Sequence, residues 1–162
     1  MTQEEIRQIL DSHSVVTKAV QERMCEDIAA AAARVVDCLK NRHKLLLCGN
    51  GGSAADAQHM AAEFTGRFLA ERKPLPAIAL TTDTSALTAI GNDYGFDAIF
   101  ERQVRALAGP GDVLLAISTS GNSGNVIAAM QAMREMGGES VALTGRDGGQ
   151  MKGLADLNLI VP

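Results

Sequence analysis

Five short apolar runs punctuate this chain, and the first four run into loops of small polar residues. They are Lys44-Leu45-Leu46-Leu47-Cys48, Pro76-Ala77-Ile78-Ala79-Leu80, Val113-Leu114-Leu115-Ala116-Ile117, Ser140-Val141-Ala142-Leu143 and Leu157-Asn158-Leu159-Ile160-Val161. A run that is apolar at nearly every position lacks the alternation of a half-exposed strand. It reads as a strand buried on both faces, and the fifth run is read in the same way. Helical stretches lie between the runs: an Ala-rich one from Ala54 to about Phe68, one after Asp83, and one with the stripe Val126, Met130, Met133 and Met136. Strands alternating with helices predict an α/β fold with a five-stranded, parallel, doubly wound sheet. Ligands of such sheets sit beyond the carboxyl ends of the strands, where these loops fall.

The 162 residues fit one domain, 1–162, with a helical region at 1–40 and an α/β sandwich at 44–162. Ile6, Ile9, Leu10, Val16 and Val20, then Ile28, Ala32, Val35, Val36 and Leu39, recur at near-helical spacing, as one long helix or two. A long amphipathic helix there predicts packing against a partner subunit. Aromatic residues are 3% of the chain, so Ala, Val, Ile, Leu and Met must build the core. The net charge is −4 with both signs interspersed, and no basic stripe offers itself to nucleic acid. Cys25, Cys38 and Cys48 are odd in number and unpaired in spacing; they read as buried small hydrophobes in a reducing compartment. With no signal-peptide pattern and no apolar run near ~20 residues, the expectation is a cytoplasmic protein without a membrane partner.

Ser118-Thr119-Ser120-Gly121-Asn122-Ser123 brings four hydroxyls to the entrance of a helix. Free N–H groups and the helix dipole favour an anion there, and hydroxyls suit phosphate oxygens. An ordinary N-cap needs one such residue, not four. Gly49-Asn50-Gly51-Gly52-Ser53 fails the dinucleotide fingerprint, because Ala54 stands where a glycine is required, and it lacks the P-loop lysine. Its glycines still permit close backbone approach to a ligand. His59 and Glu63 are four apart and share a helix face. By spacing alone they read as a solvated face; as metal ligands they are two, an incomplete zinc site. Asn92-Asp93 sits in what reads as a Gly-flanked turn, and His13 and His43 read as structural or surface residues.

Taken in order, Cys48 to Ala54, Glu63-Phe64-Thr65-Gly66-Arg67, Gly91-Asn92-Asp93, Asp112 to Ser123 and Leu143 to Gly149 resemble the sugar isomerase (SIS) domain. Within it they resemble the phosphoheptose isomerases, over nearly the whole chain. That family interconverts sedoheptulose 7-phosphate and D-glycero-D-manno-heptose 7-phosphate for the heptose of lipopolysaccharide or related glycans. The resemblance implies a flavodoxin-like fold and a homotetramer with active sites between subunits, often with zinc. It assigns Ser118, Thr119, Ser120 and Ser123 to the phosphate, and places Asn50, Gly51, Gly52, Ser53, Asn92 and Asp93 near the sugar. Glu63 matches the catalytic carboxylate, and His59 with Glu63 matches two metal ligands.

Aldose–ketose isomerisation moves a proton between adjacent carbons through an enediol. It needs a base that takes and returns the proton, and an acid or metal at the carbonyl oxygen. A carboxylate serves as the base once partial burial raises its pKa. The family continues beyond the fifth strand into a helix whose Gln and His complete the metal site and supply the acid. This chain ends at Pro162 with no His after His59. The expectation is an intact phosphate site beside an incomplete catalytic one. A second class stays open: a non-catalytic SIS module that binds sugar phosphate, or a replication-initiator or regulatory protein.

Overall fold

The computed structural model describes residues 1–162. Helices α1 (Gln3–Arg23) and α2 (Cys25–Lys40) precede β1 (Leu45–Gly49) and α3 (Gly52–Thr65). Next come β2 (Ala77–Ala79), α4 (Thr84–Tyr94), α5 (Ala98–Leu107), β3 (Val113–Ser118) and α6 (Gly124–Glu135). Strand β4 (Glu139–Gly145), a 3-10 turn at Gly149–Gly153 and β5 (Leu157–Val161) complete the order. The sheet runs β2-β1-β3-β4-β5 with every pairing parallel.

Side chains of a strand alternate between faces, and here both faces are apolar. Leu46, Cys48, Leu114, Ala116 and Ala142 join Phe100 and Val104 of α5 and Val126, Met130 and Met133 of α6 in one core. Leu45, Leu47, Val113, Leu115, Ile117 and Val141 meet Ala31 and Cys38 of α2 and Ala57 and Ala61 of α3 in the other. The connections from β1 and β3 therefore leave in opposite directions, α3 to one face and α6 to the other. The carboxyl ends of these neighbouring strands form the switch-point crevice in which such sheets bind ligands.

The amino ends are locked by one carboxylate. Asp112, 2% exposed, accepts hydrogen bonds from Lys44 N (2.8 Å), Lys44 Nζ (2.6 Å) and Gly109 N (2.8 Å). Burial pushes its pKa up, but these hydrogen bonds and the Lys44 charge outweigh it and hold the carboxyl below its ordinary value.

The N-terminal region is two helices, joined at Met24 (φ −115°, ψ −1°), whose side chain is buried. Thr2 and Glu5 start α1 with reciprocal cap hydrogen bonds. No residue of α1 is buried, and Ile6, Ile9, Leu10 and Val15 face outward.

Four expectations need correction. The helix after β1 starts at Gly52 and stops at Thr65, short of Phe68. Asn92 and Asp93 lie in the last turn of α4, not in a loop; Asp83 caps the helix and Gly95, at φ 90°, ends it. Strand β5 is half-buried at every residue, because it is the sheet edge with one neighbour. Cys25 is exposed, whereas Cys38 and Cys48 are buried.

Candidate active site

Two loops meet at the carboxyl ends of β1 and β3. From β1, Asn50 and Ser53 enter a cavity of ≈ 200 Å³; from β3 come Ile117, Ser118, Thr119, Ser120 and Ser123. The N-termini of α3 and α6 open onto it, so the positive ends of their dipoles face it. No Lys or Arg lines the cavity. Hydroxyl, amide and backbone donors are its means of holding an anion.

The turn into α3 depends on Gly51, whose φ of 58° strains any residue with a Cβ. Ser123 stands at the N-cap position of α6, yet its side chain makes no cap bond. Its Oγ lies 2.9 Å from Ser118 Oγ. These two hydroxyls bond to one another rather than to the helix end, so capping does not explain them.

The Ser118–Ser123 loop is braced from behind. Asn122 Nδ2 donates to Ser120 O (2.8 Å), and Asn122 Oδ1 accepts from Gln150 N (3.1 Å). Met151 N donates to Gly121 O at 3.0 Å. Gly121 packs so closely on Gly148 that a Cβ would lie 2.1 Å from the Gly148 carbonyl oxygen. No residue pattern signals this support from the segment after β4.

A second residue beyond the sequence reading is Asn125, in the first turn of α6 and 2% exposed. Its amide pairs reciprocally with Asn50: Asn50 Nδ2 to Asn125 Oδ1 at 2.8 Å, and Asn125 Nδ2 to Asn50 Oδ1 at 2.9 Å. An asparagine two residues past a Ser-rich loop carries no signal by itself.

An adjoining cavity of ≈ 430 Å³ shares Ser53, Ile117 and Thr119 and adds Asp56, Thr144 and Arg146. A larger hollow of ≈ 530 Å³ lies at the amino ends of the strands, lined by Arg34, Asp37, His43 and Glu139 among others. It has mixed charge and lies at the end of the sheet opposite the switch-point loops.

The other candidate residues are elsewhere. His59 Nε2 and Glu63 Oε1 are 3.6 Å apart on α3, with side chains 75% and 32% exposed. About 15 Å of helix rise separates Glu63 from Ser53, taking 1.5 Å per residue. Glu63 lines its own cavity of ≈ 260 Å³ with Met60, Phe64, Phe68 and Arg72. Arg72 caps this end of α3, donating to the carbonyls of Glu63 (2.6 Å) and Phe64 (2.8 Å). Asn92 and Asp93 are exposed on α4, where Asn92 Nδ2 donates to Asp93 Oδ1 at 2.8 Å. Within one chain, then, six of the expected residues converge: Asn50, Ser53, Ser118, Thr119, Ser120 and Ser123. Gly51 and Gly52 form the turn beside them. Glu63, His59, Asn92 and Asp93 are not among the residues lining that cavity.

The donor pair His59–Glu63 has the chemistry of a zinc site, but no group of three or more His, Cys, Asp or Glu side chains gathers in this chain. Nor is any helix long and apolar enough to cross a membrane.

Known proteins share much of this sequence and its fold. The SIS domain family matches residues 8–145. A phosphoheptose isomerase from Aliarcobacter butzleri is 59% identical over 157 residues, which are 97% of this chain and 82% of the relative. The structure of phosphoheptose isomerase from Neisseria gonorrhoeae superposes with a TM-score of 0.93 at 51% identity, covering 99% of this chain and 85% of that one. A phosphoheptose isomerase from Francisella tularensis gives 0.96 at 40% identity, covering 100% and 87%. Such identity over nearly the whole chain favours the enzyme over a non-catalytic module, and the chain belongs to the phosphoheptose isomerase family of SIS-domain proteins.

Proposed function

We propose that this isomerase interconverts sedoheptulose 7-phosphate and D-glycero-D-manno-heptose 7-phosphate, in the cytoplasm and toward the heptose of a lipopolysaccharide or related glycan. The observation that carries the substrate class is the cavity at β1 and β3, where four Ser/Thr hydroxyls of one loop and two helix N-termini surround space for one anionic group. The phosphate would occupy it, held by Ser118, Thr119, Ser120 and Ser123. The carbon chain would run past Ser53 and the Asn50–Gly52 turn into the adjoining cavity.

Glu63 is the proton carrier in this reading. It would take a proton from C1 of the ketose as O2 gains one from an acid, giving the enediol; it would then return the proton to C2 as O1 gives its hydroxyl proton back to that acid and becomes the aldehyde oxygen. Asn92 and Asp93 would contact sugar hydroxyls. Since Glu63 and the hydroxyl cavity do not share one space in a single chain, they would meet across subunits of a homotetramer. The outward apolar residues of α1 and the exposed Phe68, Leu69 and Phe96 give such an assembly surfaces to cover. A divalent ion such as zinc would polarise the carbonyl, with His59 Nε2 and Glu63 Oε1 as two of its ligands.

The direct test incubates purified protein with sedoheptulose 7-phosphate, with and without zinc, and follows the anomeric NMR signals. Aldose signals growing with time support the assignment. Failure to turn over at any zinc concentration, in protein that still binds the ketose, removes it. Sedimentation of an Ile9→Glu, Leu10→Glu variant tests the assembly: loss of the tetramer is expected, and an unchanged mass would exclude α1 from the interface.

A further inference from the structure

Sequence-adjacent hydroxyls do not by themselves make a pocket; the two loops must be held at a fixed separation. Their backbones belong to different strands and their helices leave on opposite faces of the sheet. One side-chain contact bridges them with two hydrogen bonds: the reciprocal amide pair of Asn50 and Asn125. Each amide uses one N–H and one lone pair on the other, so the pair is fully complementary and fixes both orientations. Asn125 is buried and does not line the cavity, whereas Asn50 does. A buried amide left without its partner is costly, so an Asn125 that bonded nothing else would favour loop separations that keep the pair closed.

We propose that Asn125 is a positioning residue: its amide clasps Asn50 and so sets the width of the anion cavity between the β1 and β3 loops. The inference rests on reading that cavity as the phosphate site. Asn125 itself touches no substrate. It orients the Asn50 amide, whose second N–H is unused by the pair and is available to the ligand.

The test exploits the shape of the pair. Asn125→Leu removes both hydrogen bonds without adding charge. Asn125→Asp removes one when ionised, yet restores both when protonated, since a carboxylic acid donates to Asn50 Oδ1 and accepts from Asn50 Nδ2. Binding of inorganic phosphate is measured by calorimetry at pH 8 and pH 5.5, each variant against wild type at the same pH. The expected result is a Kd raised about tenfold in Asn125→Leu at both pH values, for loss of about 1.4 kcal/mol. Asn125→Asp should bind more weakly still at pH 8, then recover past Asn125→Leu toward wild type at pH 5.5. Asn125→Ser, which removes the amide pair without adding charge, replaces Asn125→Asp if the latter does not fold, and should weaken phosphate binding at both pH values. A charge effect alone would leave Asn125→Leu at wild-type affinity, and that result overturns the proposal. So does an Asn125→Asp variant that fails to recover in acid. Ser120→Ala, run alongside, separates the two levels: if it leaves phosphate affinity unchanged, the reading of the cavity is wrong; if it weakens binding while Asn125→Leu does not, the clasp alone is wrong.

Discussion

The two ends of α3 make opposite kinds of surface. At its N-terminus the chain encloses a cavity with its own hydroxyls, and the loops around it are tied down by Asn122, Asn125 and Gly121. At its C-terminal half His59 is 75% exposed, and the following Phe68 and Leu69 are 71% and 81% exposed. The difference has a physical origin. Anion binding draws on strand ends and helix termini, which one sheet fixes within one chain. Proton transfer needs a carboxylate shielded from water, and the Glu63 side chain is still 32% exposed here. On the proposed reading, phosphate recognition would be a property of the subunit and catalysis a property of the assembly.

The largest effect expected from breaking one region and sparing the other is at Glu63. Glu63→Gln should lower isomerisation about 10³-fold, the scale of general-base catalysis, while inorganic phosphate binds with unchanged Kd. A variant that also lost phosphate affinity would show the two ends of α3 to be one site.

Next in size is Asp112, on which neither region draws directly. Asp112→Asn should destabilise the fold by about 3 kcal/mol in urea denaturation, because it breaks a buried charge pair. Asp112 has a depressed folded pKa, so between that value and its unfolded pKa of about 3.9 the unfolded chain binds more protons. Its stabilisation is therefore present above about pH 4 and lost as pH falls through the folded pKa. The acid limb of a stability–pH curve should flatten in Asp112→Asn. Phosphate affinity of the protein that remains folded should not move.

Ser120→Ala should raise the phosphate Kd about tenfold, one hydrogen bond to a charged group, and raise KM with little change in kcat. A fall in kcat of the same size would place Ser120 at the reacting carbons. Smallest is the response of the thiols. Burial pushes the Cys48 thiol up to about 12, and Cys38 is raised by burial as well. Both should resist alkylation at pH 8 until the protein unfolds. Rapid labelling of Cys48 would mean that β1, and the pocket it carries, opens locally.

Much of this was legible in the residues. All five continuous apolar runs are strands, the fifth at the expected limits Leu157–Val161, but the edge strands β2 and β5 are only partly buried because each has one neighbour. Ser118 to Ser123 reads as an anion site because four hydroxyls exceed what one N-cap uses, and the fold brings them to one cavity with Asn50 and Ser53. Asn92-Asp93 misled because Gly91 and Gly95 look alike in sequence. In the fold Gly91 is helical and packs near Ile99, while Gly95 alone takes a positive φ and stops α4. Asn125 and the Gly148–Met151 brace were invisible, since each acts on a partner far along the chain.

What the sequence determined by itself is local: periodicity chooses strand or helix, apolar content on both faces demands a sheet with two layers, and loop chemistry names the ligand class. What the tertiary structure decided is which local features meet. The order β2-β1-β3-β4-β5 makes neighbours of two loops some seventy residues apart and sets Asn50 against Asn125. It also leaves Glu63 outside the cavity that its chemistry would serve. Hydrogen bonds and cavities depend on positions in space to within an ångström, and residue types along a line carry no such information until the sheet has assembled.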